Sequence, residues 1–363
     1  MARVRGGTTA VRFSPDGSLL LLVAGNEARV LNAATFMAVI EPIRNAAEIQ
    51  VAEFSADGKD VFTASSAEAR LWDSRTGQSR GKVYKTDRAS LLPAAISPDC
   101  SRLAITVVLP PDPLAHRNWG IQVFDAASGK LEATLPHTLG LEYVAFASDN
   151  VRVLTVQQTG SNERTFHVWD SNSGKETIRP IVSGYQYAFS PASGLIPGGF
   201  SADGKRLVVA DSAWFTIYDA QTGRALVDNK PRQIDPLADQ GLFSAEFTAE
   251  GKRVYSPRQD GSLWDADTGK PSGRAIKDHV FARTISADGR FLLGGFENID
   301  AERHSRERGA AIWDLVSGQR VQTFMASEVA AVAFSPDENR VAIADATSGE
   351  TLVWEVKSLR GRN

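Results

Sequence analysis

A short turn phrase recurs along the whole chain and limits what the chain can fold into. It consists of Phe or Ile, two small residues or Pro, an acidic residue and, in most copies, Gly. The eight copies begin at Phe13, Phe54, Ile96, Phe146, Phe200, Phe247, Ile285 and Phe334. The 363 residues therefore divide into eight units of about 45 residues, which predicts one repeat domain over residues 1–363.

Each copy predicts a β-hairpin, because Pro presets the turn backbone, Asp bonds nearby amides and Gly tolerates positive φ. Cys100 stands where most copies have Gly, and we interpret it as a turn thiol without a function. A second phrase follows in six units and reads aromatic-Asp-x-x-Thr/Ser-Gly. Its aromatic ring fits a strand buried between neighbouring sheets. The six copies begin at Leu71, Val123, Val168, Ile217, Leu263 and Ile312.

With both phrases repeated at this period, the chain resembles the WD-repeat family over essentially its whole length. The resemblance implies an all-β propeller with four antiparallel strands per blade, arranged around a central channel. Eight phrases favour an eight-bladed propeller, with seven blades as the alternative. The family's Gly-His and its Asp before the Trp strand are only echoed here, for example at Asp278-His279. We therefore expect the family's His-Ser-Asp-Trp network to be absent from most blades.

The two chain ends predict how the last blade is completed. Few residues follow Trp354, too few for a further outer strand. The segment before Phe13 can supply one short strand near Ala2 to Arg5. We expect this N-terminal strand to pair with the last blade as its outermost strand, since that removes an open sheet edge.

Three units carry insertions between their second and third strands, and insertions are where function can be added to a repeat. They lie at Leu109 to Trp119 in unit three, Gln157 to Arg164 in unit four and Glu297 to Arg308 in unit seven. In an eight-bladed ring, units three and seven would stand opposite each other across the channel mouth. The charged segment from Glu297 to Arg308 is interpreted as a solvated, partly disordered loop or as a docking loop for a charged partner.

The candidate partner-binding residues come from these insertions and from positions outside the repeat pattern. Trp119 and Trp214 could anchor a partner or pack against an adjacent loop. Phe243 and Phe281 precede two inner strands and could be local core or an apolar binding spot. The full candidate set is His116, Arg117, Trp119, Trp214, Phe243, Phe281, Arg303, His304, Arg306 and Arg308.

Composition and motifs exclude several function classes. A net charge of -3 lacks the basic excess of a nucleic-acid binder. One cysteine excludes an intrachain disulfide and a multi-cysteine zinc site. No histidine pair has zinc-ligand spacing, and no nucleophile elbow, Walker loop or dinucleotide fingerprint occurs. No apolar run is long enough to cross a membrane. We therefore predict no catalytic residues, metal, cofactor or membrane contact, and a cytoplasmic location.

Two function classes remain. The first is a non-catalytic scaffold or sensor module that binds one or more proteins or peptides through its loop-rich face and channel mouth, as a monomeric ring. Similar repeats are often attached to protein kinases or signalling NTPases, and the resemblance implies such a role. The alternative is an enzyme or small-ligand-binding propeller with a site at the channel mouth.

Overall fold

The described part of the chain consists of antiparallel β-sheets and contains no helix. The computed structural model describes residues 2–85, 93–109, 118–137, 140–160, 163–184, 198–210, 214–229, 244–258, 261–278, 280–300, 305–356 and 359. We name the eight sheets blades 1 to 8. Blade 1 contains β2 (Ala10–Phe13), β3 (Leu19–Ala24), β4 (Glu27–Asn32) and β5 (Ile43–Arg44); blade 2 contains β6 (Ile49–Phe54), β7 (Asp60–Ser65), β8 (Glu68–Asp73) and β9 (Ser79–Lys85). Blade 3 contains β10 (Ala94–Ile96), β11 (Arg102–Leu109), β12 (Asn118–Asp125) and β13 (Leu131–His137); blade 4 contains β14 (Leu141–Phe146), β15 (Arg152–Gly160), β16 (Glu163–Asp170), β17 (Lys175–Glu176) and β18 (Ile181–Ser183).

The second half of the chain repeats the same pattern. Blade 5 contains β19 (Gly198–Phe200), β20 (Arg206–Ala210), β21 (Phe215–Asp219) and β22 (Ala225–Asp228); blade 6 contains β23 (Glu246–Phe247), β24 (Arg253–Arg258) and β25 (Gly261–Asp265). Blade 7 contains β26 (Val280–Ile285), β27 (Phe291–Asp300), β28 (Ser305–Asp314) and β29 (Gln319–Phe324); blade 8 contains β30 (Val329–Phe334), β31 (Arg340–Asp345), β32 (Glu350–Glu355) and the N-terminal β1 (Ala2–Arg5). The prediction of an eight-bladed, all-β propeller with four antiparallel strands per blade is confirmed. In the described part of blade 6, an isolated bridge between Trp264 and Pro271 takes the place of the fourth strand. In blade 4, the short β17 and β18 both pair with β16.

The described chain separates into two compact units. The first comprises Met1–Ser65, Arg70–Arg80 and Ile276–Asn363, and the second comprises Ser66–Ala69 and Gly81–Ala275. Within each unit the apolar core lies between neighbouring blades. In the first, for example, Val11 and Leu20 of blade 1 pack in one cluster with Ala342 of blade 8. A single domain spanning the whole chain stays a prediction.

The first phrase forms a turn in which a serine makes two hydrogen bonds that were not predicted from the sequence. Ser14 is fully buried, and its hydroxyl donates to Asp16 Oδ1 at 2.6 Å. The same oxygen accepts from the backbone N–H of Leu19, across the mouth of the hairpin, at 2.9 Å. Serines at five further copies make the same pair of bonds: Ser55, Ser97, Ser201, Ser286 and Ser335. The serine therefore fixes where each of these turns ends and its second strand begins.

The last residue of the first phrase adopts a left-handed conformation in every copy. Gly17 and Gly58 have a φ of 70°, and Cys100, Asn150 and Glu338 have φ values of 56°, 61° and 59°. Non-glycine residues rarely adopt this conformation. Asn150 and Glu338 use their side chains there, because Asn150 accepts from the N–H of Asp99 and Glu338 from the N–H of Asp288. Both bonds join the turn of one blade to the turn of the preceding blade.

In four blades, the residue two positions after this left-handed residue is an arginine that donates a hydrogen bond to the neighbouring blade. Arg340 of blade 8 donates to the carbonyl oxygens of Gly17 (3.1 Å) and Ala33 in blade 1, and its guanidinium lies 5.6 Å above the Phe13 ring. The other three links follow the same pattern and join Arg102 to Asn150, Arg152 to Gly204 and Arg206 to Gly251. Each arginine therefore binds the left-handed turn residue of the next blade.

The buried tryptophans donate hydrogen bonds to acceptors that were not predicted from the sequence. Trp72 Nε1 donates to Thr63 Oγ1, which in turn donates to Asn45 Oδ1. Trp169 Nε1 donates to Thr155 Oγ1 at 2.9 Å. In these two blades a threonine on the neighbouring strand thus accepts the indole hydrogen bond. The divergent blades are consequently held by hydrogen bonds as well as by packing.

The predicted N-terminal strand is confirmed. β1 pairs antiparallel with β32, from Ala2 opposite Val353 to Arg5 opposite Glu350. Just beyond it, the N–H groups of Gly6 and Gly7 both donate to the carbonyl of Gly349. The first residues of the chain thus complete its last blade.

Deleting residues 1–7 is expected to lower the melting temperature by roughly 3–8 °C, because the outer edge of β32 loses a whole strand. The measurement is a thermal melt followed by circular dichroism. Arg5→Gln, which keeps the strand, is the matched control and should melt close to the wild type. An unchanged melt of the deletion variant would show that β1 does not stabilise blade 8.

Arg340→Gln is expected to reduce the free energy of unfolding by about 2 kcal/mol, since two carbonyl oxygens lose a charged donor. Arg340→Lys should recover only part of this loss, because an ammonium cannot bond both carbonyls and stack on Phe13 together. Urea denaturation measures both. Arg224→Gln removes an exposed arginine as control, and an equal loss in that variant would contradict the proposed link.

Candidate functional site

The described residues of the insertion in unit seven form an extension of a β-hairpin. β27 and β28 continue their antiparallel ladder from Phe291 opposite Asp314 to Asp300 opposite Ser305. The interpretation of Glu297 to Arg308 as a partly disordered loop is therefore wrong for residues 297–300 and 305–308. The physical reason is that the backbone groups of the two arms pair with each other while their side chains point to the two faces of the sheet. A charged composition alone does not prevent this pairing.

A half-buried polar network in blade 7 bonds the base of this hairpin. Asp278 accepts hydrogen bonds from Asn298 (2.8 Å), from the Trp313 indole (2.6 Å) and from Arg320. Burial raises the pKa of Asp278, but these three donors outweigh it and hold the pKa below its usual value. Asp278 therefore stays ionised and fixes Asn298, the second residue of the extension.

Arg320 connects the same network to the other arm of the hairpin. Its guanidinium bonds Glu307 Oε1 at 2.6 Å and lies 4.1 Å from the centre of the Phe296 ring. The side chain is about one quarter exposed, so the ion pair is partly shielded from water. Both arms of the described extension are thus bonded to blade 7, one through the Asp278 carboxylate and the other through the Arg320 guanidinium, which stacks on Phe296.

The insertions of units three and four also lengthen strand pairs. β11 and β12 pair through Leu109 opposite Asn118, and β15 and β16 pair through Gly160 opposite Glu163. In all three units the extra residues lengthen the same hairpin, between the second and third strands of the blade. In each of these blades, the lengthened hairpin therefore lies at the end of the sheet opposite to the two turn phrases.

The structure places the predicted site residues at different levels of exposure. Trp119 lies in β12 opposite Val108 and His137, and it is half-buried. Trp214 precedes β21 and is also half-buried. Arg306 stands in β28 opposite Ile299, and Arg308 is exposed opposite Glu297.

Phe281 packs mainly inside its own blade. It lies in β26 opposite Gly295, and a Cβ atom on that glycine would come within 2.7 Å of the Phe281 ring. The ring contacts the buried cluster shared by blades 7 and 8. His116, Arg117, Phe243, Arg303 and His304 lie outside the described residues, and their roles stay predictions.

Sequence reasoning missed a buried aromatic cluster in blades 3 and 4. The rings of His137 and His167 lie 5.2 Å apart, and each lies within 5.6 Å of the Trp169 ring. His137 Nδ1 bonds Gln157 Oε1 at 3.2 Å, and His167 Nδ1 bonds Glu176 Oε1 at 2.6 Å. The two histidines are 30 positions apart in the sequence, and the packing of adjacent blades brings them together.

Burial strongly affects the protonation of His137. Only 4% of its surface is exposed, and its Nε2 atom has no hydrogen-bond partner. Burial, reinforced by the nearby His167, lowers the pKa of His137 to about 4 from the usual 6.5. His137 is therefore neutral at physiological pH.

The described residues contain neither a candidate metal site nor a candidate membrane-spanning helix. No group of three or more His, Cys, Asp or Glu side chains there could hold a metal ion. No helix in the same part of the chain could cross a membrane.

Comparison with solved structures supports the fold. The computationally designed Ika8 protein matches with a TM-score of 0.70 and 18% identity over 98% of both chains. The C-terminal WD40 domain of Sif2 matches with a TM-score of 0.71 and 16% identity, over 98% of this chain and 97% of that domain. The β-propeller domain of Myceliophteria thermophila Cps50 (Swd1) matches with a TM-score of 0.59 and 14% identity, over 98% and 99%. No protein-family model and no curated protein sequence matches the chain.

These similarities establish a fold shared with WD40 β-propeller domains. The identities are low, while the coverage is nearly complete for both chains in each comparison. The function of this chain must be argued from its own surfaces.

The buried His137 predicts that the protein becomes less stable as the solution is acidified. The unfolded chain takes up a proton near pH 6.5, whereas folded His137 does so only near pH 4. Stability is therefore complete above about pH 7 and should be about 2 kcal/mol lower at about pH 5. The carboxylates with lowered pKa values lose their contribution only at lower pH.

Urea denaturation at a series of pH values measures this dependence. His137→Gln removes the titrating group and should flatten the curve between about pH 7 and about pH 5. The comparison concerns the slope, so an overall loss of stability in the variant does not disturb it. An equally steep slope in the variant would show that another group is responsible.

Proposed function

We propose that this protein is a non-catalytic WD-repeat scaffold or sensor module that binds other proteins through the sheet ends where its hairpins are lengthened. The observation that carries the proposal is the β27–β28 extension. It places exposed Glu307 and Arg308 on a projecting arm that Asp278 and Arg320 hold rigidly. A preorganised polar arm loses little conformational freedom on binding, which favours affinity for a protein surface.

The distribution of polar groups supports binding over catalysis. The described side chains of the extension bond the blade below it, as Glu307 does with Arg320 and Asn298 does with Asp278. The carboxylate of Asp278 is engaged by three donors, which suits a structural anchor better than an acid or base. WD40 domains among the similar structures are consistent with an interaction module.

The proposal is tested by shortening the arm. Replacing residues 298–307 with Asn-Gly leaves Glu297 and Arg308 joined by a two-residue turn, which suits an antiparallel hairpin. Affinity purification with this variant should lose the partners that copurify with the wild type. A second variant lacking residues 110–117 tests the insertion of unit three in the same way.

The matched control changes charge at the opposite sheet end. Lys59→Gln with Lys205→Gln alters two exposed turn residues beside the first phrase and should retain the partners. Thermal melts establish that every variant is folded. Recovery of the same partners with both shortened variants would refute binding through these hairpins.

A further inference from the structure

The N-terminal strand brings two arginines to one carboxylate of blade 8. The Glu350 carboxylate lies 3.6 Å from the guanidinium groups of both Arg3 and Arg5. The Arg5 side chain is 91% exposed, so its donor groups face water. One negative charge is therefore shared between two positive ones, and neither arginine makes a close, enclosed pair.

Blade 1 repeats this arrangement directly beside it. The Glu27 carboxylate lies 2.6 Å from Arg29 and 3.0 Å from Arg44, and the Arg44 side chain is 70% exposed. Hydrogen bonds from Arg29 and Arg44 hold the pKa of Glu27 below its usual value, with the Arg29 bond the stronger influence. Arg29 also donates to the carbonyl oxygen of Arg5 at 3.0 Å, which makes the two clusters one continuous surface.

The combined surface carries more positive charge than its carboxylates can neutralise. Four guanidinium groups surround two carboxylates, which leaves two positive charges on a chain whose net charge is -3. A local excess opposite in sign to the whole molecule attracts anionic groups to one place. Two surplus charges suit a short anionic segment and fall well below the number that a nucleic-acid backbone requires.

A depression lies between the two clusters. Arg5 and Arg29 line it on the charged side, and Gly6, Thr8, Leu22 and Ala24 complete it. It is partly open to solvent and has room for about one water-sized group, such as one oxygen of a carboxylate or phosphoryl group.

Gly6 keeps this depression open beside Arg29. Its φ is 152°, and a Cβ atom at this position would lie 2.9 Å from Arg29 Nη1. The absence of a side chain thus leaves room next to the guanidinium. Guanidinium groups are the strongest partners in proteins for planar or tetrahedral oxyanions, because their donors match both oxygens.

We propose that this surface, formed by Arg3, Arg5, Arg29 and Arg44, binds an acidic segment of a partner protein, with one oxygen of an oxyanion in the depression between Arg5 and Arg29. The oxyanion is a side-chain carboxylate or a phosphoryl group, which share this chemistry. The inference goes beyond the proposed function because it concerns β1 and blade 1, whereas that proposal concerns the lengthened hairpins. Failure of either one leaves the other standing.

Fluorescence anisotropy with short labelled peptides tests the proposal. One peptide is rich in glutamate, one carries a single phosphoserine in a neutral sequence, and one is neutral throughout. The wild type should bind at least one of the two charged peptides and not the neutral one. Raising the salt from about 50 mM to about 300 mM should weaken this binding severalfold, since the contacts are exposed charge pairs.

Arg5→Gln combined with Arg29→Gln should weaken peptide binding at least tenfold, the effect of about 1.4 kcal/mol. Arg5→Gln alone should weaken it severalfold, and its exposed position makes misfolding an inadequate explanation. Arg75→Gln combined with Arg224→Gln removes two exposed arginines elsewhere as the matched control and should bind normally. Which charged peptide binds more tightly identifies the oxyanion as carboxylate or phosphoryl.

Three results would overturn the proposal. The wild type could bind charged and neutral peptides equally. The control variant could lose as much affinity as the Arg5 and Arg29 variant. A single-stranded DNA oligonucleotide could bind more tightly than either charged peptide, which would indicate a nucleic-acid surface.

Discussion

The rest of the structure depends on the hydrogen-bonded turn at the end of each first strand. A buried serine closes the hairpin by bonding both the acidic residue and the first amide of the next strand, as in Ser14 with Asp16 and Leu19. The residue that ends the turn is then left-handed. An arginine of the preceding blade binds the carbonyl oxygen of that residue at four places, so one local conformation serves both the hairpin and the contact between blades.

This design explains why the repeats tolerate so much divergence elsewhere. A four-stranded sheet cannot bury both of its faces alone, and stacking against a neighbour is what forms the core. The turn and its arginine set the spacing of neighbouring blades from outside the core. The indole acceptor can then be Thr63 in one blade and Asp278 in another without changing the architecture. Function can be added at the opposite sheet ends, where Asp278 and Arg320 support a long hairpin.

Much of the fold could be predicted from the sequence because its determinants are local. The phrase spacing predicted eight blades, and the short segment left after Trp354 predicted that Ala2–Arg5 would pair with β32. The candidate sites were harder to predict. Glu297 to Arg308 was expected to be a loop because its charge density resembles a solvated segment, but backbone pairing dominates once the strands below it are aligned. Phe281, considered for binding, packs against Gly295 inside its blade.

By itself, the sequence determined the number of blades, the turn positions and the closure of the last blade by the first strand, because these follow from repeated short-range patterns. The tertiary structure alone decided which distant side chains meet. The rings of His137 and His167 meet, Arg340 reaches Gly17, and Arg5 joins Arg29 beside one depression. The physical reason is that such contacts depend on the register between blades and on the burial of each face. Neither the register nor the burial can be recognised from the residues that flank any one of these positions.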